Sequence, residues 1–465
     1  MAGCRHRSYV SAMPEKRVFR RCLTRRHLVP AGGVAATLTC TGFTAAPVSA
    51  HDFDRPAGIA LVVLAGLTLP LVLLRGRRRH KPDGAAPGPA PKKPGVLRRH
   101  PLAARAVLAT AVLAVSTLGW SVSGALTYPG DDSTAARLAG WAREHHMGSV
   151  VDQLENAKYK MDPPKVGGEL PKSAADRMKD VPAAAAPAAG DVQPRPPMKP
   201  LVSPALKGEG VWRTLASDHG RPLVQGTYVR PDSEHTSYQA AVAWISSKHT
   251  RFRLHPGLRE PGDTFRTPPT IPAGSRTGLL ATWNGGFKIT DGGSRGGFHL
   301  DGKTVGELRD GTASEVFHRD GSIEIGVWGR DVRMTPDVVG VRQCLELMVD
   351  DGKVVSDIDD DSKWGATDQS RMFVERSGVG VTAQGDVIMV VGQALSAPTL
   401  AHLMQRAGAV RAMPLDMNRA WPSFMSYDGR RTPHNPVPTN ILDFENPPTR
   451  YYHQATRDFV AVYAR

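Results

Sequence analysis

Three short constellations in the C-terminal half carry side chains suited to chemistry. Asn284-Gly285-Gly286-Phe287 follows an apolar run, and a second Gly-Gly-Phe stands at Gly296-Gly297-Phe298. Paired glycines let backbone N–H groups approach an anion closely, although a tight turn with an aromatic plug accounts for the same residues. Arg376-Ser377-Gly378 opens another apolar segment. An Arg at a strand mouth beside small residues suits bidentate binding of phosphate or carboxylate, or it is a surface Arg paired with Glu375 or Asp386. Asp416 ends an apolar strand, where a carboxylate can do acid–base work at the edge of a cleft or simply cap a loop. Each constellation taken singly fits the plainer role as well or better. The acidic run Asp357, Asp359, Asp360, Asp361 with Asp368 has the alternation of a calcium loop but lacks its Gly and its closing Glu, and reads as a solvated loop. No metal ligands are assigned, and the cofactor is left open. Cys344 stands alone in this half, in an apolar run that suits a buried small hydrophobe better than a nucleophile.

These residues need a scaffold, and from about Gly208 the sequence supplies one rich in strands. Leu223–Val229, Gln239–Ile245, Gly278–Trp283, Ile323–Trp328, Leu345–Val349, Gly378–Thr382, Val387–Val391, Val410–Leu415 and Arg457–Tyr463 read as strands. Asp-Gly pairs at 301–302, 310–311, 320–321 and 351–352 mark hairpins. One helix is expected from a Ser396 cap and Pro398 through Leu400, Leu403 and Met404 to a stop at Gly408. The fold class is α+β: a β-rich, mixed-sheet domain over 206–465 with hairpins and a few helices. No fixed repeat suggests a propeller or solenoid.

The preceding residues differ in kind. Up to Arg105 there are nineteen Lys and Arg against four Asp and Glu, so forty of each remain beyond it and the whole excess of +15 is N-terminal. Because these charges flank apolar stretches, they suit a membrane protein's cytoplasmic face better than a nucleic-acid partner, and no nucleic acid is expected. Residues 1–50 read as a targeting, signal-like segment or as an extra hydrophobic segment. Spans are expected at 57–74 and 106–126, each near the length needed for a hydrocarbon core of about 30 Å. The basic loop 75–105 between them would be cytoplasmic, placing the remainder outside. A juxtamembrane helix over 131–160, capped from Asp131, Asp132 and Ser133, and a Pro/Ala-rich linker over 161–205 complete the layout.

The order of the motifs from Gly208 to Arg465 resembles the phosphodiester glycosidase family, whose animal member removes a capping N-acetylglucosamine from mannose 6-phosphate. The match runs through Asn284-Gly285-Gly286-Phe287, Arg376-Ser377-Gly378-Val379-Gly380, the hairpin at Gly385-Asp386, the turn with Gly392, the Ser396–Gly408 helix and Leu415-Asp416. Val211-Trp212, Trp328-Gly329-Arg330-Asp331 and Val341-Arg342-Gln343 are similar to actinobacterial members with N-terminal spans. The resemblance implies an extracytoplasmic, membrane-anchored hydrolase of glycosyl phosphodiesters in the cell envelope or exopolysaccharide. Asp416 would be catalytic, and Arg376, Asn284, Gly285, Gly286 and Arg419 would bind a carbohydrate or sugar-phosphate substrate. The family's glycine run after the Asp is replaced here by Met417-Asn418-Arg419-Ala420-Trp421. That departure raises an alternative: a non-catalytic polysaccharide-binding module that kept the fold, or a structural ectodomain with its partner on the stalk.

Overall fold

The computed structural model describes residues 101–179, 195–262, 264–290, 292–360, 363–364 and 373–465. The expected targeting segment, the 57–74 span, most of the basic loop, the Ala183–Ala189 tract, Asp361 and Asp368 lie outside them.

In chain order the helices are α1 (Pro101–Leu126), α2 (Thr134–Glu144), α3 (Gly148–Met161), α4 (Lys172–Lys179) and α5 (Ala397–Arg406). The strands are β1 (Arg213–Asp218), β2 (Arg221–Val229), β3 (Ala240–Ile245), β4 (Thr250–His255), β5 (Leu279–Asn284), β6 (Phe298–Leu300), β7 (Lys303–Val305), β8 (Ala313–His318), β9 (Ile323–Val327), β10 (Val338–Gln343), β11 (Val349–Asp350), β12 (Lys353–Val354), β13 (Val374–Thr382), β14 (Val387–Leu395), β15 (Ala409–Pro414), β16 (Phe424–Asp428), β17 (Val437–Asn440) and β18 (Phe459–Ala464).

Local turn chemistry sets much of the pairing. Asp301-Gly302 and Asp351-Gly352 have positive φ at both residues, which gives a hairpin turn whose twist matches the strands. They close β6–β7 and β11–β12, and Asp320-Gly321 closes β8–β9. Three sheets result, in the orders β1-β2-β3-β14-β13-β15-β11-β12, β7-β6-β10-β8-β9 and β17-β16-β5-β18-β4. Where mixed sheets were expected, the pairs of named strands that bracket the site, β13–β14, β13–β15, β5–β16 and β5–β18, are antiparallel.

The central strands of the eight-stranded sheet are buried on both faces. Along β13 and β14, Val379, Val381, Met389 and Val391 join the core shared with the other two sheets. Ile388, Val390 and Leu395 face the opposite way, onto Leu400, Ala401, Leu403 and Met404 of α5. This is the period-two alternation of a strand, apolar on both sides because each side has a cover. Ser396 caps α5 by accepting from Thr399 N at 3.1 Å, and Gly408 ends it with φ +100°.

Three expectations are corrected. Leu345–Val349 is not one strand: Leu345 has φ +52°, which a strand cannot accommodate, and only Val349 enters β11. The helix expected over 131–160 is two, broken where His146 takes φ +60° ahead of Gly148. The 161–205 segment contains α4, whose Met178 is fully buried in the main core, a contact worth about 1.5–3 kcal/mol. Arg177 of α4 also forks onto Asp443 at 3.1 and 2.8 Å.

Helix α1 carries the stretch Leu108–Leu126, long and apolar enough by length and composition to cross a membrane. At 1.5 Å per residue those nineteen residues extend about 28 Å.

Candidate active site

The site forms where β5 and β15 end, β13 begins and the segment before β18 leads in. Asn284, the last residue of β5, is buried. Its Nδ2 donates to Ser377 Oγ at 3.0 Å, and its Oδ1 accepts from Ser423 N at 2.9 Å. Ser377 Oγ in turn accepts from Asp416 N at 3.2 Å and donates to Asp416 O at 3.3 Å. One serine hydroxyl thus ties Asn284 to Asp416 across two sheets.

The Asp416 carboxylate is 4% exposed. Oδ1 accepts from the N–H groups of Met417 at 2.8 Å and Asn418 at 3.0 Å, and Oδ2 pairs with Arg457 at 3.0 Å. Burial pushes its pKa above the ordinary aspartate value, while Arg457 and the two amides pull against that rise. The loop-capping bonds and the ion pair are therefore made by different oxygens of one side chain.

Two arginines complete the wall. Arg457 also donates to Gly286 O at 2.9 Å, and Arg450 donates to Trp421 O at 3.3 Å. The two guanidinium carbons stand 4.7 and 5.3 Å from the centre of the Trp421 ring, within cation–π range. Both arginines are buried, at 8% and 2% exposure, and the Nε of each has no acceptor among the described residues. Below them Asp458 pairs with Arg342 at 2.7 Å, both side chains fully enclosed. A Cβ on Gly285 would lie 1.9 Å from Asp458 Oδ2, and one on Gly286 would lie 2.8 Å from Cys344. The two glycines are required by close approach rather than by φ. Asn284, Gly285, Gly286, Asp416, Trp421, Arg450, Arg457 and Asp458 line one tight depression that leaves no room for a water-sized sphere.

A larger hollow, lined by His318, Arg319, Asp320, Ser322, Glu324 and Asp337, lies among different residues and touches none of this chemistry. Beneath the site, Glu315 is fully buried with Oε1 accepting from Trp283 Nε1 at 3.2 Å. Burial pushes its carboxyl up to about 8, against the pull of Trp283 and Arg342. Cys344 is buried, its thiol pushed up to about 12 by desolvation, which suits a packed group and not a nucleophile.

The structure brings Asn284, Gly285, Gly286 and Asp416 together but not Arg376. Ser377, Val379 and Val381 face the sheets, so Arg376 faces α5, as does Gly378, where an added Cβ would meet Leu400 at 3.3 Å. The Arg376 guanidinium donates to the carbonyls of Leu395 at 2.9 Å and Trp364 at 3.1 Å. Arg419 is exposed, and its charge acts on Glu375. Arg457 holds the position expected of these two. Sequence reasoning read Arg457 only as the start of a strand; the signal available was a charged pair, Arg457-Asp458, directly before the apolar run Phe459–Tyr463.

Residues 277–416 match the model of the phosphodiester glycosidase family. Among solved structures, the chain is similar to the zebrafish N-acetylglucosamine-1-phosphodiester alpha-N-acetylglucosaminidase catalytic domain, auto-inhibited by its pro-peptide. Identity is 12% and the TM-score 0.36, over 55% of this chain and 87% of that one. It is also similar to a hypothetical protein from Synechocystis, at 11% identity and a TM-score of 0.31, over 53% of this chain and 63% of that one. No curated protein matches.

Proposed function

We propose that the phosphodiester glycosidase-like domain of this chain hydrolyses glycosyl phosphodiesters, with Arg457 and Arg450 holding the phosphate and Asp416 serving the sugar side. The observation that carries this reading is the pair of buried Nε–H groups without acceptors among the described residues, in side chains that line the same depression as Asp416. A buried donor without a partner costs roughly 1–3 kcal/mol, and a phosphate admitted by a shift of the Trp421 side chain would supply the acceptors. Gly285 and Gly286 keep that wall at backbone height.

The chemistry follows from the charges. Breaking the bond between the sugar C1 and the phosphate oxygen leaves positive charge on the sugar and a phosphate monoester. That monoester, with a second pKa of about 6, departs without needing a proton at neutral pH, so two guanidinium groups suffice on that side. The sugar needs a carboxylate, to stabilise the oxocarbenium-like centre and to take a proton from the incoming water. Arg457 favours that ionised form of Asp416, so activity rises with pH through the Asp416 pKa, which burial has moved upward. The test is release of reducing sugar from a sugar 1-phosphodiester by the purified chain.

A second reading has one observation in its favour. As it stands the depression leaves no room for a water-sized sphere, against the roughly 300–1,000 Å³ of small-molecule sites. Met417, Asn418 and Arg419 stand where the family's glycine run follows the Asp, and Trp421 just beyond them lines the depression. The sugars are then laid outside the closed depression, as in an envelope polysaccharide-binding module.

The apolar stretch of α1 supports anchoring in a membrane. We place the domain on the extracytoplasmic side, because the basic excess lies N-terminal to that helix.

A further inference from the structure

The residues that link α1 to the domain are built into the site. Ser133 caps α2 by accepting from Ala136 N at 3.2 Å, which leaves the Asp131 and Asp132 side chains for other partners. Arg137 of α2 gathers the linking segment, donating to the carbonyls of Leu126 and Asp132 at 2.9 Å each and to those of Tyr128 and Gly130. The gathered segment lies on the stretch 450–457, the one that Arg450 and Arg457 bracket. Asp131 pairs with His453 at 2.8 Å. Asp132 Oδ2 accepts from Thr456 Oγ1, and its Oδ1 stands 3.7 Å from Arg450. Gly130 has φ +121°, and a Cβ there would lie 2.8 Å from Gln454 O, so only glycine fits this approach. Tyr128 lies under the Arg259 guanidinium at 4.1 Å.

The Arg450 and Asp132 side chains are 2% and 7% exposed. A cation so enclosed needs a counter-charge to keep its place, and the ion pair of Arg450 is with Asp132. We propose that Tyr128–Asp132 is a brace of the active site and that Asp132 is a positioning residue for Arg450. The helix α1 and the phosphate-holding arginines then form one connected unit. The proposal rests on the reading of Arg450 and Arg457 as the phosphate-holding pair.

The test uses the full chain in detergent, with inorganic phosphate as the probe and calorimetric titration as the readout, beside thermal unfolding. Asp132→Asn keeps an acceptor for Thr456 while removing the charge. It is expected to weaken phosphate binding about tenfold while the unfolding temperature moves little, and Asp132→Glu is expected to bind within about threefold of the parent. Unchanged affinity in Asp132→Asn overturns the proposal. So does tighter binding, because Asp132 would then be a competitor for Arg450. If Asp132→Asn does not fold, a folded Asp132→Glu that fails to bind overturns it equally. A parent chain that binds no phosphate, and is indistinguishable in this from Arg457→Ala, removes the anion-site reading itself and the brace with it.

Discussion

Replacing Arg457 by alanine isolates the charge pairing at the centre of the site. Its guanidinium pairs with an Asp416 carboxylate whose side chain is 3% exposed, at 3.0 Å. Removing one partner of such a pair costs about 3–5 kcal/mol, mostly from the charge left behind. The lost bond to Gly286 O adds about 0.5–1.5 kcal/mol. The orphaned carboxylate can relieve this by keeping its proton, since burial already raises its pKa. In the variant the folded state therefore holds a proton that the unfolded chain has released. Its stability falls as pH rises, by roughly 1.4 kcal/mol per unit up to the new pKa. Chemical denaturation at pH 5 and pH 8 should give a distinctly larger loss at pH 8. The double variant Arg457→Ala/Asp416→Asn keeps the acceptor for Met417 N and Asn418 N but carries no charge, and should recover at least half of the pH 8 loss. Equal losses at both pH values, with no recovery in the double variant, would refute a charge-paired Asp416.

Glu315→Gln should stabilise the protein at pH 8 relative to pH 5. The folded carboxyl holds its proton to about 8, against 4.5 for the free group, so its stabilisation is complete below about 4.5 and is lost as pH rises toward 8. Melting curves across that window should flatten in the variant, and an unchanged slope would count against the buried neutral acid. Arg457→Lys should lose most turnover, because a point charge does not reproduce the fork. Arg376→Lys, whose guanidinium serves the carbonyls of Leu395 and Trp364, should lower melting temperature while keeping the parent KM. Protease treatment of intact cells should release the domain, and full protection would reverse the proposed orientation.

Much of the scaffold was legible because its signals are local. Asp301-Gly302 and Asp351-Gly352 announce their hairpins, Ser396 and Gly408 bound α5, Asn284 ends β5 and Asp416 follows two residues after β15. What escaped is set by distance and parity. Arg457 reaches Asp416 across 41 residues, and Asp132 reaches Thr456 across 324, and no spacing rule spans such gaps. Arg376 was misplaced because one step along β13 reverses the face, and the pairing slips between Val374 and Arg376. Alternation is decisive once the covered faces are known, and here both faces are covered.

The most direct test of the account is the release of reducing sugar from a glycosyl 1-phosphodiester by the purified full chain. The account predicts release that Asp416→Asn lowers by about 10²–10⁴-fold, the share of an acid–base group, and that Arg457→Ala also lowers severely. A folded chain that binds the phosphodiester at this depression and releases no sugar would contradict the hydrolase reading and establish the binding module in its place.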